Sequence, residues 1–141
     1  MPTRKASATW EGGLKGGKGS FKAESGIAGA YSFGSRFENA KASNPEELLA
    51  AALAACYAMA LSVGLEKNGT PPTRVESNVA CTIDKVGDGF KITRMDLVVR
   101  AKAPNVNPAT FDKIAQATKD GCPVSQVFKG NVQMTLDAKL E

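Results

Sequence analysis

Histidine is absent from all 141 residues, and no other feature excludes as much chemistry. Ser-His-Asp and Cys-His hydrolases, HExxH metalloproteases and His-bearing zinc sites all go with it. Catalysis would have to draw on Cys, Arg, Lys, Tyr or carboxylates. There are three cysteines, Cys56, Cys81 and Cys122, and no CxxC pair, which removes zinc ribbons and thioredoxin-type motifs. An odd count in a cytosolic chain argues against a disulfide framework and leaves reactive thiols as the open question. Repeats and low-complexity tracts are missing too. The net charge is +4, but Lys and Arg are interspersed with Asp and Glu. The one local cationic run, Lys15, Lys18 and Lys22, is separated by glycines and reads as the solvated face of a hairpin, with a nucleic-acid patch as the minority reading. The N-terminal MPTRKASATW has no apolar h-region, so the expectation is a cytoplasmic protein.

What is present centres on residues 43–69, SNPEELLAAALAACYAMALSVGLEKNG. Asn44 is an N-cap, Pro45 suits the first helical position, and Glu47 sits where a capping-box acid reaches back to the Asn44 backbone. Asn68-Gly69 supplies a left-handed stop, and Pro71-Pro72 forbids continuation. No charge falls between Leu48 and Leu65, so the helix needs cover on all sides. Its apolar stretch borders on transmembrane length. Alanine dominates it, however, and a summed transfer energy for alanines is weak, so a soluble core helix is the preferred reading. Ala50, Ala51, Ala54, Ala55 and Ala58 would admit a close helix partner.

Around this helix the pattern predicts strands at 4–11 and 18–25 across the GGLKGG turn, and a short third strand near 28–33. GSRFENAKAS follows as a polar connector, where Arg36 reads first as a surface residue. Beyond the helix, 74–84 alternates with Val75, Ser77, Val79, Cys81 and Ile83 on one face, which makes Cys81 a structural thiol. Gly87-Asp88-Gly89 turns into a strand over 90–102, with Ile92, Leu97 and Val99 as core candidates. Asn107-Pro108 opens a helix to about Asp120, and Cys122-Pro123 begins a shorter one. Cys122 falls at its N-cap, beside unpaired N–H groups that favour a thiolate. Residues 132–140 alternate as a closing strand. The order gives an α+β fold in a single domain over 1–141.

The residues Arg36-Phe37-Glu38, Asn44-Pro45-Glu46-Glu47-Leu48, Ala54-Ala55-Cys56 and Gly121-Cys122-Pro123-Val124-Ser125, in that order along nearly the whole chain, resemble the OsmC/Ohr family of organic hydroperoxide reductases. The position of Arg36 resembles the OsmC branch. The resemblance implies antiparallel strands around a long central helix in an intertwined homodimer, without metal, flavin or other cofactor. It implies a thiol peroxidase of oxidative and osmotic stress defence. Cys56 matches the peroxidatic cysteine, Cys122 the resolving one, Arg36 the arginine that holds the thiolate, and Glu46 the acid that positions that arginine. Partners implied are an organic hydroperoxide and an external dithiol, of lipoyl type in some members, with no nucleic acid and no membrane.

Reducing ROOH needs a thiolate, and burial disfavours one, so without histidine a guanidinium is the natural counter-charge. Glu46 and Cys56 are ten residues apart, about 15 Å along one helix and roughly 80° around it. They cannot share a site within one straight helix. Two copies packed antiparallel near Ala51 would bring Glu46 of one beside Cys56 of the other, which predicts Arg36 and Glu46 from one chain and both cysteines from its partner. Glu47 is the competing acid. Tyr57, Met59, Phe37 and Phe128 are candidates for an apolar entrance, against a plain core role. The alternative to an enzyme is a dimeric small-ligand binder or redox sensor.

Overall fold

A computed structural model describes all residues, 1–141, which divide into two compact units, Met1–Leu48 and Leu49–Glu141. The first unit is built on an antiparallel meander of β1 (Ala6–Glu11), β2 (Lys18–Ala23) and β3 (Ala28–Tyr31). One cross-strand row sets Trp10 against Gly19 and Gly19 against Tyr31. Gly19 is required there, because a Cβ would come within 2.6 Å of the Tyr31 ring and 2.8 Å of the Trp10 ring.

The segment read as a polar connector contains a short helix, α1 (Phe33–Phe37). Ser32 caps it: its side chain accepts from the Ser35 N–H at 3.0 Å, while Ser35 Oγ accepts from the Ser32 N–H at 2.8 Å. The third strand therefore stops at Tyr31. Ser35 Oγ also donates to the Ser43 carbonyl at 2.7 Å, and Asn44 Nδ2 donates to the Ser35 carbonyl at 3.2 Å. These bonds tie α1 to the first turn of the next helix.

That helix, α2 (Pro45–Lys67), runs unbroken as the spacing predicts. Asn44 Oδ1 accepts from the Glu47 N–H at 2.8 Å, the expected N-cap bond. At the other end Gly69 has φ +80, the left-handed stop. By length and composition α2 could cross a membrane. Its Leu53, Tyr57, Leu61 and Leu65, spaced by four, instead form a fully buried stripe in the core of the second unit, as the soluble reading expects.

The expectation of cover all round is not met within one chain. Ala51, Ala52, Ala55 and Met59 are exposed, Met59 at 70%. Close packing occurs instead at Gly64, where a Cβ would meet the Ile114 methyl at 2.7 Å.

The second unit holds β4 (Arg74–Val86), β5 (Gly89–Lys102) and β6 (Gln133–Leu140), with α3 (Pro108–Gly121) and α4 (Pro123–Phe128) between β5 and β6. β4 and β5 pair antiparallel, as expected, but β6 pairs parallel to β5. A parallel neighbour needs a long crossover, and α3 and α4 are that crossover. Cys81 is half-buried and packs against the core, as its alternation predicts.

Met95, Leu97, Val99 and Ala101 face the core from β5, whereas the predicted Ile92 is half-buried and lies outside the core cluster. A bulge at Thr93 pairs Ile83 with Ile92 while Cys81 pairs with Met95, which keeps Ile92 on the Met95 face; Ile92 and its partner Ile83 both stand nearer the hairpin end of the sheet, outside the core cluster. Met95→Ala should therefore cost about 2–5 kcal/mol in denaturant unfolding. Ile92→Ala should cost clearly less.

Candidate active site

Four residues carry the expected chemistry, and the structure forms them into two pairs. In the first unit, Arg36 sits on α1 and Glu46 in the first turn of α2. Arg36 Nε donates to Glu46 Oε1 at 2.9 Å, and its Nη2 reaches the same oxygen at 2.9 Å. Of the two adjacent acids it is Glu46, not Glu47, that meets the arginine. The choice follows from helix phase: Glu47 is exposed beside its cap, while Glu46 is turned inward with only 5% of its surface exposed. Both guanidinium bonds fall on Oε1, and Oε2 is buried with no hydrogen-bond partner. An unpaired buried acceptor costs about 1–3 kcal/mol, so this pair is poorly explained as a stabilising device. The guanidinium itself is partly exposed and lies 5.2 Å from the Phe37 ring centroid.

In the second unit, Cys56 lies near the middle of α2 and Cys122 at the N-cap of α4. Both are reduced. Cys122 is 2% exposed, and its Sγ takes the place an N-cap oxygen would take: it accepts from the Ser125 N–H at 3.4 Å and lies 3.0 Å from Ser125 Oγ. Ser125, fully buried, stands in the GCPVS segment but is not singled out by the sequence reading. The signal was its position three residues after the cap, the spacing of a capping contact.

Cys56 is only half-buried. Burial is the strongest influence on its thiol and pushes it up; the Val124 backbone N–H pulls it down, and Cys122 pushes it up again through a hydrogen bond and its charge. The two thiols thus lie near enough to shift the titration of Cys56 although 66 residues separate them. The first turn of α4 serves both, Val124 N–H for Cys56 and Ser125 N–H for Cys122. Pro123 at the first helical position has no N–H to offer. Among these influences on Cys56 there is no cation.

Tyr57, the next residue, is fully buried, and its hydroxyl donates to the Ala115 carbonyl of α3 at 2.9 Å. Burial first, then the charge of Cys122, raises its phenol well above the usual range. Tyr57 and Phe128 are therefore core residues rather than walls of an entrance, since both belong to the core cluster. Met59 is on the exposed side of α2, and Phe37 lines a pocket with Arg36. Tyr57→Phe should lower stability by about 1 kcal/mol in chemical unfolding, the net worth of one hydrogen bond. A loss below a few tenths would remove the bond to Ala115 from the account of how this turn of α2 is held.

No cluster of His, Cys, Asp or Glu suited to a metal ion is present. Residues 38–137 match the family model for OsmC-like proteins. The chain is 45% identical to peroxiredoxin OsmC of Escherichia coli strain K12 over 140 residues, covering 98% of this chain and 96% of that protein. It is 34% identical to the organic hydroperoxide resistance protein OhrB of Bacillus subtilis over 103 residues, 72% of this chain and 74% of that protein. In three dimensions it resembles an organic hydroperoxide resistance protein from Elizabethkingia anophelis, with a TM-score of 0.80 at 23% identity, over 100% of this chain and 98% of that one. The sequence match across nearly the whole chain and the shared fold place this protein in the OsmC/Ohr family.

Proposed function

We propose that the protein is a cysteine-based peroxidase that reduces organic hydroperoxides to alcohols, with Cys56 as the attacking thiol and Cys122 as the resolving one. The observation that carries this reading is the nearness of Cys56 to Cys122 and to the first turn of α4, felt in the titration of Cys56. The names of its relatives, peroxiredoxin and organic hydroperoxide resistance protein, support it.

In the proposed cycle the Cys56 thiolate attacks the outer oxygen of ROOH. The O–O bond breaks, and RO⁻ leaves and takes up a proton as the alcohol, while the sulfur becomes a sulfenic acid. Cys122 then attacks the Cys56 sulfur, water departs, and a Cys56–Cys122 disulfide remains. An external dithiol, of which a lipoyl group is one kind, reduces it by exchange. Resolution protects Cys56 from further oxidation to sulfinic acid.

Arg36 supplies what Cys56 lacks in its own unit. A guanidinium favours the thiolate, and its N–H fork can donate to the peroxide oxygens as negative charge moves onto them. Glu46 fixes the guanidinium for that task. Because α2 is one continuous helix, Glu46 and Cys56 of a single chain stand about 15 Å apart along its axis. The site is therefore composite in a homodimer, with Arg36 and Glu46 from one protomer and both cysteines from the other. The bare apolar face of α2 around Ala51, Ala55 and Met59 supports this, since a second copy of the helix would cover it. In this reading the two units act together as one OsmC-like domain of a cytoplasmic protein.

One equivalent of an organic hydroperoxide added to the reduced protein should yield a mass loss of two hydrogens, mapped by peptide analysis to Cys56 and Cys122. Unmodified thiols would overturn the reading and favour a ligand-binding dimer. Cys56→Ser should abolish peroxide consumption, and Cys122→Ser should allow one turnover before sulfenic or sulfinic acid accumulates on Cys56. For the composite site, Arg36→Ala and Cys56→Ser proteins mixed under subunit exchange should regain activity, because each mixed dimer contains one intact site. No recovery despite demonstrated exchange would contradict it.

A further inference from the structure

Ser125 is fully buried, and its hydroxyl has one hydrogen-bond partner, the sulfur of Cys122 at 3.0 Å. A serine or threonine inside a helix ordinarily bonds back to the carbonyl four residues earlier, as Thr118 Oγ1 does to Ile114 at 2.8 Å. For Ser125 that carbonyl belongs to Gly121, and it accepts instead from Gln126 Nε2 at 2.7 Å. The Ser125 hydroxyl is turned to the sulfur. A neutral thiol is a weak partner for a buried hydroxyl, whereas a thiolate accepts a bond of the stronger, charge-assisted kind. The contact is therefore worth most when Cys122 carries charge.

Burial separates the two cysteines: Cys56 is half-buried, while Cys122 is 2% exposed. In a disulfide between them an external thiol reaches the sulfur of Cys56, and the sulfur that departs is then Cys122. We propose that Ser125 receives this departing sulfur: its Oγ–H donates to Cys122 as the disulfide opens, so that the reductant bonds to Cys56 and Cys122 leaves as the thiolate. One thiolate of the dithiol attacks the Cys56 sulfur, the electron pair of the broken S–S bond passes to Cys122, and a mixed disulfide remains on Cys56. The second thiol of the reductant then displaces Cys56 and closes the reductant's own disulfide, and the two protons it gives up return Cys56 and Cys122 to thiols. The pairing of the two cysteines rests on the peroxidase reading above; the leaving role of Cys122 rests on the Ser125 bond and on the difference in burial.

Diamide, which joins neighbouring thiols without any peroxide, prepares the disulfide, and dithiothreitol reduces it, with acid quenching and intact mass giving the rate. Ser125→Ala should be reduced about tenfold more slowly than the wild-type protein, because the departing sulfur loses a hydrogen bond to its developing charge. The direction of the change separates this role from packing, since a loosened α4 alone would open the disulfide to the reductant and speed the reaction. In the wild-type protein, brief exposure to mercaptoethanol followed by acid quenching and maleimide labelling should place mercaptoethanol on Cys56 and maleimide on Cys122. An equal or faster rate in Ser125→Ala, or mercaptoethanol on Cys122, would overturn the proposal, as would failure of diamide to join Cys56 to Cys122. Consumption of tert-butyl hydroperoxide by the wild-type protein checks the peroxidase reading separately. If that peroxide is left intact while the diamide-made disulfide behaves as expected, the peroxidase reading fails and the role of Ser125 stands.

Discussion

A thiol in an apolar helix holds its proton, and this chain has no histidine with which to remove it. Burial pushes Cys56 up, and Cys122 pushes it further. The Val124 N–H opposes both but carries no full charge. In the proposed reading a thiolate at this position depends on a fixed guanidinium, and the first unit holds one in Arg36. α1 is capped by Ser32 and Ser35, bonded through Ser35 to Ser43 and Asn44, and so sets Arg36 against Glu46 with little freedom. Glu46 gives one oxygen to the arginine and leaves the other buried without a donor, an arrangement that stability alone does not favour.

The same helix that carries Cys56 also organises the second unit. One stripe of α2 enters the core and Tyr57 locks onto α3, while Cys122 at the head of α4 comes near Cys56. The parallel return of β6 through α3 and α4 makes this possible, since the crossover is what brings residue 122 to residue 56. The opposite side of α2 has no such task within the protomer. It is small, apolar and exposed, and in the proposed dimer it is where the activating cation and the nucleophile are brought together.

Much of this was legible because it depends on local chemistry. Asn44, Pro45 and Gly69 mark both ends of α2, and Asn107-Pro108 marks the start of α3. Glu46 could be preferred over Glu47 because the cap position of the latter already assigned it elsewhere. What escaped had no local signature or a misleading one. α1 is five residues long with a glycine inside it, and two serines cap it where an acid is the usual partner. Ile92 shares the face of Met95 through the bulge at Thr93 but stands beyond the core cluster, and no alternation shows how far along a strand the core reaches. Tyr57 and Phe128 were candidates for an entrance because of their neighbours in sequence, but the core claimed both. The pairing of Cys56 with Cys122 came from the family resemblance, since only the tertiary crossover joins them.

The dependence of the thiolate on Arg36 is open to direct measurement. In a Cys122→Ser background, the rate of Cys56 alkylation followed against pH gives the thiol titration without interference from the second sulfur at that site. With Arg36 present the midpoint should fall below the ordinary thiol value of about 8.5, and with Arg36→Ala it should rise above it, as burial alone requires. The same midpoint in both proteins would contradict the account, because the guanidinium would then not be the charge that makes Cys56 reactive.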